Sequence, residues 1–162
     1  MPTVLLMRHG KSDWSAGHPD HERPLNDRGT RAASLMGRVL RLFGEVPDHA
    51  VTSSATRART TAELAMTGGK FTDVSLEVST QLYLPSVEDV LDVLLSVPDG
   101  AERVLLVGHQ PTWGHAVEAI SGARVGFVTA AVAAIDVRSF RDPRGGILRW
   151  FLPPRRAASL VP

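Results

Sequence analysis

Val4-Leu5-Leu6-Met7-Arg8-His9-Gly10-Lys11-Ser12 carries four consecutive apolar residues onto an arginine–histidine pair and a glycine. A short apolar run closed by a turn residue is the pattern of a strand covered on both faces, as in a parallel sheet flanked by helices. Gly10 permits a sharp turn or a close backbone approach where that strand ends. The stretch reads as a buried strand that delivers Arg8 and His9 to a loop. Fold and function both turn on whether the rest of the chain repeats the design.

Downstream, Ser12 to Glu22 is polar and reads as an exposed loop rimming the Arg8-His9 end. From Leu25 the apolar residues Ala32, Leu35, Met36, Val39, Leu40 and Phe43 recur at helical spacing, with Asn26 as N-cap and Gly44 as stop. Ala50 to Ser53 is a second strand, and a helix follows from close to Arg57 to Gly68-Gly69. Val74 to Val78 is a weaker strand candidate. Ser86 with Asp89 forms a capping box before Val90, Leu91, Leu94 and Leu95. Arg103-Val104-Leu105-Leu106-Val107 then repeats the opening, a buried strand running into Gly108-His109, with Pro111 starting a helix that continues to about Ile120.

The last runs, Ala131 to Val137 and Ile147 to Leu152, are separated by Asp142-Pro143-Arg144-Gly145-Gly146 and predict an antiparallel pair. Alternating strands and helices predict an α/β fold: a three-layer α/β/α sandwich with a mostly parallel central sheet and an antiparallel C-terminal strand pair. Residues 1–152 are expected to form one domain and 153–162 a fraying tail.

The chain has 162 residues, no cysteine, and 18 Lys plus Arg against 17 Asp plus Glu. It is long enough for a core without crosslinks, and disulfides, thiolate metal sites and cysteine nucleophiles are excluded. The balanced charge gives no field for nucleic acid. No window approaches the ~18 apolar residues of a membrane span. A cytoplasmic protein without membrane or nucleic-acid partners is expected.

Ligands of open α/β sheets bind beyond the carboxyl ends of the strands. Three such ends carry Arg8-His9, Arg57 and His109. Guanidinium groups make charge-assisted, often bidentate contacts to phosphate oxygens, a neutral imidazole can attack phosphorus, and a second can donate to the oxygens. Nearby guanidinium charge should keep His9 neutral in the empty site. A bound dianion would favour protonated His109. Gly10-Lys11-Ser12 echoes a nucleotide-binding P-loop, but Leu5 stands where that motif needs a glycine. His18, Asp20 and His21 share a loop without the fixed geometry of a metal site.

Leu6-Met7-Arg8-His9-Gly10, Ser53-Ser54-Ala55-Thr56-Arg57-Ala58-Arg59-Thr60-Thr61-Ala62 and Val107-Gly108-His109-Gln110-Pro111, in that order, resemble the histidine phosphatase superfamily, which includes phosphoglycerate mutases. Asp20-His21-Glu22-Arg23-Pro24-Leu25-Asn26-Asp27-Arg28-Gly29 is similar to its shorter SixA-type protein histidine phosphatase branch. The resemblance implies His9 as phosphate-accepting nucleophile and Arg8, Arg57 and His109 as the phosphate pocket, with no metal or cofactor. Arg59, Arg23 and Arg28 receive no such role. Ser15 stands where mutases commonly have an asparagine, which makes it a substrate-binding candidate. Glu88, near a helix start, is the candidate proton donor, against a plain role as a helix-start acid. The implied activity is hydrolysis of protein phosphohistidine. The alternatives are a small phosphate ester, a mutase-like reaction and, in a different class, a non-catalytic phosphate-binding module.

Overall fold

β1 (Thr3–Arg8) lies inside the sheet, parallel to β4 (Arg103–Gly108) on one side and antiparallel to β5 (Val132–Asp136) on the other. The computed structural model describes residues 1–162. β2 (His49–Ser53) pairs in parallel with β4 and with the edge strand β3 (Leu76–Ser79), while β6 (Ile147–Leu152) closes the opposite edge antiparallel to β5. The order is β3-β2-β4-β1-β5-β6, with β5 alone running against the rest. The mixed sheet and the antiparallel β5–β6 pair match the architecture anticipated from the sequence.

Burial of β1 on both faces explains its unbroken apolar run. Val4 and Leu6 join one core cluster; Leu5 and Met7 join the other. The first cluster is completed by α3 (Val87–Leu95) and α4 (Thr112–Ser121), the second by α1 (Asp27–Leu42) and α2 (Thr56–Gly69). Side chains alternate across a strand, so one run feeds two helical layers. No helix is long and apolar enough to cross a membrane.

Helix ends follow local chemistry. Asn26 accepts from the Gly29 amide at 2.8 Å, and Gly44 follows α1 at φ 73°. Ser86 and Asp89 make the reciprocal box at the start of α3. At the end of α2 the left-handed residue is Lys70, not a glycine. Gly69 is small for another reason: a Cβ there would strike the Phe71 ring.

The segment from Pro153 onward, read as a fraying tail, instead contains α5 (Pro154–Ala157), with proline in its first turn. Ala157 is fully buried against the α1–α2 layer, and Val161 packs on the same cluster. Terminal position alone does not make a segment fray when its apolar residues reach a core.

Gly10 needs no left-handed backbone. Its role is close approach: a Cβ at Gly10 would lie 2.8 Å from the Gly29 carbonyl oxygen, and one at Gly29 would strike the Lys11 backbone. The start of α1 thus rests directly on the loop leaving β1.

Candidate active site

β1 and β4 run parallel and in register, so their last residues, Arg8 and Gly108, stand side by side. The His9 amide donates to the Gly108 carbonyl at 2.9 Å, which ties the loop after β1 to the end of β4. Both histidines project beyond these strands, with ring centroids 5.2 Å apart and planes inclined at 56°. Arg57 enters from the first turn of α2 after β2. The three motifs, far apart in sequence, therefore line one cavity of about 270 Å³ containing Arg8, His9, Arg57 and His109.

His9 is 8% exposed, and its Nδ1 lies 2.7 Å from the Gly10 carbonyl oxygen. A carbonyl can only accept, so Nδ1 carries the proton and Nε2 keeps its lone pair. Burial lowers the His9 pKa to about 3, with smaller contributions from His109, Arg57 and Arg8 set against the Gly10 hydrogen bond. The imidazole is neutral at pH 7, as anticipated, but desolvation outweighs the guanidinium charges as the cause.

His109 Nε2 is 2.8 Å from the Ser53 hydroxyl oxygen. Burial, followed by the charge of Arg57, lowers its pKa to about 4, while Asp20 acts in the opposite direction. Both rings are neutral at pH 7. Arg8 donates to the Phe127 carbonyl at 2.9 Å, and burial lowers its pKa. The buried Nε atoms of Arg8 and Arg57 have no protein partner, leaving donor capacity unspent.

Arg57 is itself positioned by Asp20, which the sequence raised only as a possible metal ligand. It donates to the Asp20 carbonyl oxygen at 2.6 Å and pairs with Asp20 Oδ2 at 3.2 Å. Asp20 also pairs with Arg23 at 2.9 Å and accepts from the Tyr83 hydroxyl at 2.5 Å. The Tyr83 hydrogen bond is the largest influence holding the Asp20 carboxyl at about 2. His21 secures the same loop through Ser54 at 3.0 Å and lies edge-on to Tyr83.

Arg23 corrects the sequence reading, which gave it no part in the pocket. It is 7% exposed, lines the cavity, and donates from Nε to the Ser12 hydroxyl at 3.1 Å, while Trp14 stacks 3.6 Å from its guanidinium carbon. Its place in the Asp20–Gly29 motif was the available signal. An arginine on a polar loop otherwise reads as solvated, and its burial depends on Asp20 and Trp14 folding over it.

Two candidates stand apart. Ser15 is exposed and turns back on Asp13, its hydroxyl and amide meeting Oδ1 at 2.6 and 2.8 Å. Ser12 occupies the cavity wall instead. Glu88 is exposed, pairs with Arg144 at 3.1 Å and does not line the cavity. His18, Asp20 and His21 do not assemble as a metal-ligating group. Asp20 and His21 are engaged with Arg57 and Ser54.

Known proteins resemble this chain in sequence and in fold. Residues 4–82 match the family described as Histidine phosphatase superfamily (branch 1). An uncharacterised protein of Mycobacterium tuberculosis is 39% identical over 141 residues, covering 87% of this chain and 84% of that protein. Among solved structures, a protein of Nakamurella multipartitia provisionally assigned as phosphohistidine phosphatase SixA superposes with a TM-score of 0.84. It is 27% identical, over 94% of this chain and 96% of that one. The protein histidine phosphatase SixA complexed with tungstate gives a TM-score of 0.82 at 26% identity, over 94% and 97% of the two chains.

Proposed function

Because the chain belongs to the histidine phosphatase superfamily, we propose that it is a metal-independent phosphatase acting through a phosphohistidine intermediate on phosphohistidine carried by a protein. The observation that carries the reading is the His9 tautomer: a buried neutral imidazole, its Nδ1 proton fixed on Gly10, with Nε2 free beside a cluster of guanidinium groups.

Two displacements make up the reaction. The Nε2 lone pair of His9 attacks the phosphorus of a phosphohistidine protonated on its other ring nitrogen, the P–N bond breaks, and the electron pair returns to that ring, which leaves as neutral imidazole. A water then attacks the phosphoryl group on His9, inorganic phosphate departs, its proton passes to solvent, and His9 regains its lone pair. Arg8, Arg57 and Arg23 hold the equatorial oxygens. His109, protonated when the dianion binds, donates to them as charge develops.

Imidazole is a good leaving group, so the first step needs little acid assistance, in keeping with the absence of Glu88 from the cavity. The pocket is small, about 270 Å³, and suits a phosphoryl group presented on a larger molecule. A cysteine-free chain suits the cytoplasm as the setting.

Two measurements test this. Rapid quench with a phosphohistidine protein should trap an acid-labile phosphoryl group that is lost in His9→Ala; full activity in His9→Ala overturns the mechanism. Comparing kcat/KM for the phosphohistidine protein and a panel of small phosphomonoesters tests the substrate. Near-background rates on the protein with efficient ester hydrolysis would reverse the preference. A pure phosphate binder would show no turnover on either.

A further inference from the structure

Beside the His9 pocket runs a larger groove of about 690 Å³ between α1 and the C-terminal segment, and the two share Lys11 and Thr129 as a common rim. Its walls carry Arg28, Arg31 and Arg38 from α1, Arg155 and Arg156 from α5, and Lys11. That is six of the 18 basic residues in a chain of nearly balanced charge, and no acidic residue lines it. All six are exposed. None has an ion-pair partner, whereas seven of the 12 basic residues outside the groove do. Uncompensated like charge is unfavourable in the free protein and favourable only toward an anion.

The shape narrows the anion. Arg28, Arg31 and Arg38 fall on one face of α1, and at 1.5 Å per residue the outer two stand about 15 Å apart. Leu35, Val128 and Val161 supply apolar surface between the cationic walls. A single phosphate ester fits in the smaller pocket and leaves this groove empty. About 15 Å corresponds to four or five extended residues, and carboxylates at that spacing can meet guanidinium forks while apolar neighbours cover the floor.

We propose that the groove docks an acidic, partly apolar segment of the phosphorylated protein substrate, adjoining the residue whose phosphoryl group enters the His9 pocket. This rests on the phosphohistidine-protein reading above and adds the recognition surface. Guanidinium–carboxylate pairing and the continuity of the two cavities at Lys11 and Thr129 align the segment with His9.

The test uses the full chain and a twelve-residue histidine peptide rich in Glu and Leu, together with its Glu→Gln counterpart. Fluorescence anisotropy at low salt should show the unphosphorylated Glu peptide binding about tenfold more tightly than the Gln peptide, the difference shrinking as salt screens it. Arg31→Glu/Arg38→Glu and Arg155→Glu/Arg156→Glu, on opposite walls, should each weaken the Glu peptide about tenfold, and Arg124→Glu should not. With the phosphoramidate-phosphorylated Glu peptide, both double variants should raise KM and spare kcat, and p-nitrophenyl phosphate turnover should be unchanged. Equal binding of the two peptides overturns the proposal. So does tighter groove-dependent binding of tripolyphosphate or of an oligonucleotide of equal charge. Groove-dependent binding of the Glu peptide without turnover of its phosphorylated form supports docking and refutes the phosphohistidine reading. Turnover of both phosphorylated peptides without groove dependence does the reverse.

Discussion

The Tyr83 hydroxyl donates to Asp20 Oδ2 at 2.5 Å, joining the loop after β3 to the carboxylate that holds both Arg57 and Arg23. Asp20 is exposed, yet its hydrogen bonds and ion pairs set where two cavity-lining guanidinium groups stand. Asp20→Ala should lower kcat about tenfold through their misplacement. The removed negative charge should also tighten inhibition by inorganic phosphate. Steady-state kinetics with phosphate as inhibitor reads both, and weaker inhibition would contradict this account. Tyr83→Phe, which leaves the Asp20 carboxylate charged, should lower kcat by less and should not tighten phosphate inhibition.

The neutral rings of His9 and His109 set the pH response of stability. Their folded pKa values, about 3 and about 4, lie below the ordinary 6.5. Between roughly pH 6.5 and pH 4 the unfolded chain therefore binds more protons than the folded one. The histidine contribution is fully present above pH 6.5 and is lost as pH falls, with a slope of up to ~1.4 kcal/mol per pH unit for each ring. Thermal melts should show Tm declining through this window more steeply than in a His9→Asn/His109→Asn variant. Nitrogen-15 spectra at pH 5 to 7 should show His9 as the neutral Nδ1–H tautomer.

Arg23 is predicted to matter about as much as a direct phosphate-holding arginine. Arg23→Ala should reduce kcat/KM by about a hundredfold, the range for losing one preorganised donor. Exposed Arg59, two residues after Arg57, should be replaceable by alanine at little cost.

Glu88→Ala should leave kcat within about twofold, since the side chain pairs with Arg144 outside the cavity. Its effect on stability should stay within about 0.5 kcal/mol, as for other exposed pairs. A hundredfold loss of kcat would reinstate it as proton donor.

Gly37 lies where α1 crosses α2, and a Cβ there would strike the Ala65 carbonyl oxygen. Gly37→Val should destabilise the protein by about 1–3 kcal/mol through overpacking, measured by urea denaturation.

Strand-end chemistry was legible in the sequence because it is written locally. Apolar runs mark β1 and β4, and each is followed at once by its histidine. Arg57 was legible from the strand-to-helix turn that precedes it. Asp20, Tyr83 and Arg23 were not, since their roles arise from contacts across long sequence separations on polar loops, where periodicity carries no signal. Ser15 and Glu88 failed for the converse reason. Each is near the site in sequence or suited by residue type, but Asp13 and Arg144 turn their side chains elsewhere. The unpaired arginines beside the site were visible only as composition until α1 and α5 brought them to one groove.

The backbone contact between Gly10 and Gly29 also restricts how this protein can drift in sequence. A methyl gained at Gly10 meets main chain at 2.8 Å, and main chain has no rotamer into which to retreat. Loss of bulk at the opposing residue cannot compensate, because Gly29 has none to lose. Two positions nineteen residues apart are thus each closed to exchange, and no second-site change reopens either. The setting of His9 is guarded by two residues that have no side chain.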